Sequence, residues 1–199
     1  MIVYCATGNP GKLREFQVAS TDFDVRPLPI KLDPPDELGA TFEENAAAKA
    51  EYYGGFVEGY LFADDSGLEV DALGGAPGVL SARYAGPAAT DADNNALLLN
   101  RLKAATDRRA RFVCVIALVH NGELVRTFRG SVEGRILDAP HGTGGFGYDP
   151  LFYHEPFGCT FGEAPIADKM RVSHRAQALT AMFTFLRSSA SSGRTRSSS

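Results

Sequence analysis

The chain has 199 residues, enough for one domain with a well-buried core, and its 44% hydrophobic and 22% charged residues are ordinary for a globular protein. A net charge of −4 argues against sequence-independent binding to nucleic acid, which needs a basic face, yet leaves room for a small anion at a local basic site. No apolar stretch approaches a membrane span, Met1 to Ala6 lack the basic start of a leader, and Cys5, Cys114 and Cys159 form no CxxC pair, so a cytoplasmic, reducing setting with no membrane partner is expected.

Ile2 to Thr7 reads as a strand, Gly8-Asn9-Pro10-Gly11 as a tight loop, and Lys12 onward as a helix. Thr41-Phe42-Glu43-Glu44 has capping-box spacing and predicts a helix from Phe42 to about Tyr53. Leu61 to Ala63 reads as a short buried strand that ends in two carboxylates, Asp64 and Asp65, with Ser66 and Gly67 forming a turn. Leu73 to Pro87 is a Gly- and Pro-rich loop. Thr90 and Asp93 cap a helix carrying Leu98, Leu102 and Ala105 on one face. Phe112 to Val119 is a continuous apolar run, as in a strand covered on both faces, and Asn121-Gly122 turns it into a return strand from Glu123 to about Glu133. Ser173 caps a last helix with Ala178, Leu179, Met182, Phe183 and Leu186 on one side. These elements predict one α/β domain with a mixed sheet over residues 1–187, and a disordered Ser-rich tail over 188–199.

Four constellations carry chemistry. Thr7-Gly8-Asn9-Pro10-Gly11-Lys12 joins a strand to a helix N-terminus, where free N–H groups, the helix dipole and a lysine suit a phosphate. The same spacing also suits a simple strand-to-helix turn, and it is not a Walker A loop, since Leu13 stands where Ser or Thr is required. Asp64 and Asp65 suit a hard cation such as Mg²⁺. Asn45 and Lys49 share a helix face, and Glu37 lies in an acidic, Pro-rich loop. Residues 142 to 147 match G-x-G-x-x-G but run into Tyr148-Asp149-Pro150, not a helix, so a loop that lays Phe146 over a flat ring fits better than a Rossmann turn. Lys169 precedes Ser173-His174-Arg175, whose cations open a helix against its dipole and point to an anionic or polar partner. His120, His141 and His154 lack metal-ligand spacing, which removes a zinc site.

In this order the blocks resemble one family closely. They are Ala6-Thr7-Gly8-Asn9 with Lys12 and Glu15; Thr41 to Ala46 with Lys49-Ala50; Asp64 to Leu68 with Gly75-Ala76-Pro77-Gly78; Ser81 to Gly86; Gly145 to Pro150; and Ser173-His174-Arg175. The chain is similar to the inosine/xanthosine triphosphate pyrophosphatases, also called Ham1-like. The resemblance implies an elongated, two-lobed α/β fold around a long mixed sheet with flanking helices, a substrate cleft between the lobes, and a homodimer. It implies Mg²⁺-dependent hydrolysis of non-standard purine nucleoside triphosphates (ITP, dITP, XTP) to the monophosphate and pyrophosphate, which cleanses the nucleotide pool. By resemblance, Asp65 is general base and metal ligand, Glu37 rather than Asp36 is the second metal ligand, and Asp64 is a further candidate ligand. Lys49 and the loop Thr7, Gly8, Asn9, Pro10, Gly11 and Lys12 meet phosphate. Ser66, Phe146, Gly147, Tyr148, Asp149, Lys169, His174 and Arg175 line the nucleoside site. A pyrophosphatase for pyrimidine triphosphates and a nucleotide-binding regulator without hydrolysis are the competing readings.

Overall fold

The computed structural model describes residues 1–20 and 23–194. In chain order it holds β1 (Ile2–Cys5), α1 (Pro10–Ala19), β2 (Asp24–Pro27), α2 (Phe42–Gly54), β3 (Tyr60–Val70), α3 (Asp91–Arg101), β4 (Arg109–His120), β5 (Glu123–Ile136), β6 (Phe152–His154), β7 (Cys159–Thr160), α4 (Ile166–Val172) and α5 (His174–Arg194). The strands form one mixed sheet in the order β2-β1-β3-β4-β5-β6-β7. β1 pairs in parallel with β2 and β3, and every other pairing is antiparallel.

Alternation along β3 and β4 divides the core. Leu61, Ala63, Val113, Val115, Ala117 and Val119 pack on Phe42, Ala46, Ala50 and Tyr53 of α2. Phe62, Cys114, Ile116 and Leu118 face the other way, onto Phe16 of α1 and Ala178, Leu179, Met182 and Phe183 of α5. Farther along the same strands, Leu68, Val70, Ala110 and Phe112 join Leu98, Leu102, Phe152 and Phe161 in a third cluster. β3 and β4 therefore run through all three clusters. Asn121 and Gly122 take positive φ, 52° and 83°, as a two-residue hairpin between β4 and β5 requires.

Several elements differ from the sequence reading. The acidic pair does not end a strand: β3 runs eleven residues, and Asp64 and Asp65 pair with Ile116 and Val115 of β4. Ser66 and Gly67 are strand, not turn, because ladder bonds and lysine partners for both carboxylates outweigh the turn preference of Asp-Ser-Gly. A Cβ at Gly67 would lie 2.4 Å from the Gly78 carbonyl oxygen and 2.5 Å from Ser81 Oγ, so this glycine admits the 3₁₀ segment Gly78–Arg83 against the strand. That segment occupies the stretch read as Gly/Pro-rich loop. β1 stops at Cys5, and α1 begins at Pro10 because Asn9 caps it and proline suits a first helical position. β2, β6, β7 and α4 are too short or too polar to register as periodic runs. α3 ends at Arg101, which leaves Leu102 as its C-cap and Ala105 beyond it. Ser173 does cap α5, its Oγ accepting from the Ala176 N–H at 3.2 Å. α5 then continues to Arg194, into the segment expected to be disordered; Ser188 and Ser189 hydroxyls donate to the Phe185 carbonyl and so satisfy themselves along the helix. The rest of that segment, 195–199, lies outside the described residues.

Candidate active site

β1 pairs with β3 only through Tyr4–Leu61 and Cys5–Phe62. Past that point no described strand adjoins β3 on this side, and the Leu68 N–H is taken instead by Ser81 Oγ at 2.9 Å. The gap is a cleft. Asp65, Ser66, Gly67 and Leu68 form its floor; Asn9 and Lys12 stand on one side, and Ser81, Asp91, Phe146 to Asp149 and Arg175 on others. A sheet edge left open where one strand stops exposes side chains from both faces of its neighbour.

Asp65 faces α2. The Thr41–Glu44 capping box fixes where that helix starts, and so brings Asn45 and Lys49 onto the strand. Asn45 Nδ2 donates to Asp65 at 3.2 Å, and Lys49 Nζ lies 3.1 Å from Asp65 and 2.6 Å from Glu37. Glu37 also accepts from Arg83 at 2.9 Å. Asn45 holds this acidic loop in place, accepting from the Gly39 N–H at 2.8 Å. One ammonium thus serves two carboxylates, and Glu37 has a second cation. The result is a split. For Glu37, burial is outweighed by Lys49 and Arg83, which lower its pKa. Burial pushes Asp65 up, Glu37 adds to that, and Lys49 does not offset them.

Asp64 faces the other way. Its buried carboxylate meets Lys12 Nζ at 2.9 Å and accepts from Ser66 Oγ at 2.7 Å. Burial alone would raise its pKa; Lys12, Arg175 and Lys49 overcome this and hold it at about 2. The structure groups Asp65 with Glu37 around Lys49, and Asp64 with Lys12 on the other face. Glu37 and Asp65 offer hard oxygen donors in a cleft that also holds lysines for phosphate. Among the described residues no set of three or more His, Cys, Asp or Glu could hold a metal ion. Two carboxylates without a full protein cage fit Mg²⁺, which keeps waters and draws its other ligands from substrate phosphates.

In the Thr7–Lys12 loop the amides are not free. Asn9 Oδ1 accepts from the N–H groups of Gly11 and Lys12 at 2.8 and 3.1 Å, and Thr7 Oγ1 accepts from the Asn9 N–H at 3.2 Å. A phosphate here would take donors that this Asn cap now holds.

A second polar cluster lies behind Phe146. Lys169, 2% exposed, contacts Glu15 and Asp149, each at 2.6 Å, and Arg175 contacts Glu15 at 2.7 Å. Burial opposes the charge on Glu15, yet Arg175 and Lys169 lower its pKa. Asp149 shares Lys169, and burial raises it. The Phe146 ring lies 5.0 Å from the Arg175 guanidinium and 5.4 Å from Lys169 Nζ. His174 is buried and stacks on Phe112 with centroids 4.9 Å apart; burial, then Arg175 and Lys169, hold it neutral. It lies outside the lining of the cleft, while Arg175 is part of it. Among the described residues, Arg175 Nε and both His174 ring nitrogens have no hydrogen-bond partner.

Sequence reasoning gave no role to Glu15, Arg83, Asp91 or Asn95. Glu15 stands three residues after Lys12 on α1, a spacing that puts both on one face. Arg83 lies far in sequence from its partner Glu37, and no local pattern marks it.

The family model described as the Ham1 family matches residues 3–185. A dITP/XTP pyrophosphatase of Acidobacterium capsulatum is 45% identical, covering 94% of this chain and 98% of its own. One from Thermus thermophilus is 49% identical, over 92% of this chain and 90% of its own. Among solved structures, the Ham1 protein of Staphylococcus aureus superposes with a TM-score of 0.83 at 41% identity, over 95% of this chain and all 100% of that one. A Ham1 protein from Coxiella burnetii gives 0.84 at 39% identity, over 94% and 99%.

Proposed function

The chain belongs to the Ham1 family, and we propose that its cleft is the active site of a Mg²⁺-dependent pyrophosphatase. The enzyme hydrolyses non-standard purine nucleoside triphosphates, and in this reading the products are the monophosphate and pyrophosphate. The observation that carries the assignment is Lys49, held between Glu37 and Asp65 at an open sheet edge that also presents Lys12.

A triphosphate repels a nucleophile with its own charge. Lys12 and Lys49 neutralise part of that charge and hold the chain of phosphates, and the Thr7–Lys12 loop adds amides only where phosphate displaces the Asn9 cap. Asp65, which lines the cleft beside Lys49, takes the proton from the attacking water. The water oxygen bonds to the α-phosphorus, the bridge to the β-phosphate breaks, and pyrophosphate leaves with the electron pair. Mg²⁺, held by Glu37 and Asp65, would supply charge stabilisation and alignment of the phosphates. Catalysis is mostly positioning.

The nucleoside half falls to Ser66, Phe146 to Asp149 and Arg175, which line the cleft, with the buried Lys169 and His174 supporting Phe146 and Arg175 from behind. Hypoxanthine and xanthine carry an acceptor oxygen at C6, and Arg175 Nε is a buried donor without a protein partner. Adenine would set a donor against it. The enzyme acts as a cytoplasmic homodimer in this reading, which light scattering tests for its assembly. The central test is pyrophosphate release with Mg²⁺ across ITP, XTP, dITP, ATP, GTP and pyrimidine triphosphates. Fast release from ITP and XTP is expected. Orthophosphate with a diphosphate product, or no release at all, would overturn the assignment.

A further inference from the structure

The loop that carries Phe146 is held across the cleft by α3. Asp91 and Asn95 stand at i and i+4, on one face of the first turns of that helix. Asp91 Oδ2 accepts from the Gly147 N–H at 2.7 Å, and Asn95 Nδ2 donates to the Gly147 carbonyl at 3.1 Å. Both backbone groups of one glycine are thus clasped by one helix face. The Thr90–Asp93 capping box sets the start of α3, and with it the position of both side chains. A third tie, Tyr148 Oη to the Ser81 carbonyl at 2.8 Å, anchors the next residue.

Phe146 is the residue before the clasp. Its ring is hemmed in: a Cβ at Gly11 would come within 2.7 Å of it, and Arg175 and Lys169 lie on it as cations. Asp149 Oδ2 accepts from the Phe146 N–H at 2.9 Å, and the clasp on Gly147 fixes the peptide on its other side, so the two together set where that ring stands. We propose that Asp91 and Asn95 are positioning residues that set Phe146 for the nucleobase, and so govern the base half of the site while leaving the phosphate half alone. This rests on the pyrophosphatase reading for the identity of the ligand.

The test uses direct binding, so that it does not depend on turnover. Calorimetry with Mg²⁺ measures the Kd of inosine monophosphate and, separately, of inorganic pyrophosphate. Asp91→Ala removes the acceptor from an exposed position. Asn95→Asp is isosteric and turns the donor into an acceptor. Each is expected to weaken inosine monophosphate about tenfold or more, the usual loss for a hydrogen bond at a charged or buried group, with pyrophosphate affinity unchanged. Asp91→Asn keeps an oxygen that accepts from Gly147 and should restore most of the binding, which a purely structural acid would not do. Unchanged affinity for the monophosphate in both disruptive variants, a parallel loss for pyrophosphate, or no monophosphate binding by the unmodified protein would overturn the inference. A protein that binds the monophosphate but releases no pyrophosphate from triphosphates would instead sink the proposed activity.

Discussion

Asp64 and Asp65 are neighbours in the chain and face opposite sides of the sheet, the first against Lys12 at 2.9 Å and the second against Lys49 at 3.1 Å. Strand alternation produces this separation. It lets one carboxylate remain a fixed anion while the next is pushed toward basicity. Two environments follow from one dipeptide: Asp64 is paired with Lys12, and Asp65, the proposed general base, sits with Lys49.

Asp65→Asn should therefore lose about 10²–10⁴-fold in kcat as a general base, and more if a metal ligand goes with it. Asp64→Asn should act differently, raising KM through a misplaced Lys12 and lowering thermal stability. Steady-state kinetics beside melting curves separate the two. Near-normal kcat in Asp65→Asn would remove it from the chemistry.

Asp64 also sets an acid limit on stability. Its pKa falls from an ordinary 3.8 to about 2 in the fold. A depressed carboxylate stabilises the protein above its ordinary pKa, and that contribution drains as pH falls through the folded value. The window is about pH 4 to 2, and the amount is about 2 kcal/mol. Asp65 is shifted upward and has the opposite sign, so the comparison must be made against Asp64→Asn. Denaturant titrations from pH 5 to 2.5 should show the unmodified protein losing more stability than the variant. Parallel loss in both would place the acid sensitivity elsewhere.

The sequence reading was strongest where periodicity or caps are local. The capping boxes at Thr41 and Thr90, the Asn121-Gly122 hairpin and the apolar run of β4 are all present as read. It failed at Asp64 to Gly67, where a turn-like tetrapeptide is held as strand by β4 and by lysines from two helices. No single-chain pattern reveals partners so distant. The same holds for Glu37, whose two cations come from α2 and from the Gly78–Arg83 segment. Composition marks the Glu37 loop as solvated; the fold half-buries that glutamate.

Gly67→Ala should destabilise the protein by about 1–3 kcal/mol, because the new methyl meets backbone at Gly78 and the Ser81 hydroxyl rather than a flexible side chain. Displacing Ser81 would also free the Leu68 N–H on the cleft floor and loosen Tyr148. A fall in melting temperature together with a higher KM is expected. An unaltered melting curve would mean that the 3₁₀ segment can retreat without cost.

The proposed base selection rests on the second polar cluster. Arg175 pairs with Glu15, and both are buried, so Arg175→Ala would strand a carboxylate beside Lys169. Breaking one side of a buried pair commonly costs about 3–5 kcal/mol, and a collapsed protein would say nothing about bases. Arg175→Gln with Glu15→Gln removes one charge of each sign and keeps the volumes close. If Arg175 reads the C6 oxygen, this double variant loses kcat/KM for ITP and gains little for ATP. The ITP-to-ATP ratio should then shrink by at least tenfold, within the roughly 10⁴–10⁵-fold that unpaired buried donors can impose. GTP shares the C6 oxygen, so its kcat/KM should follow ITP downward. Equal losses for ITP and ATP would mean that Arg175 grips what all nucleotides share, and base reading would have to come from the backbone around Phe146.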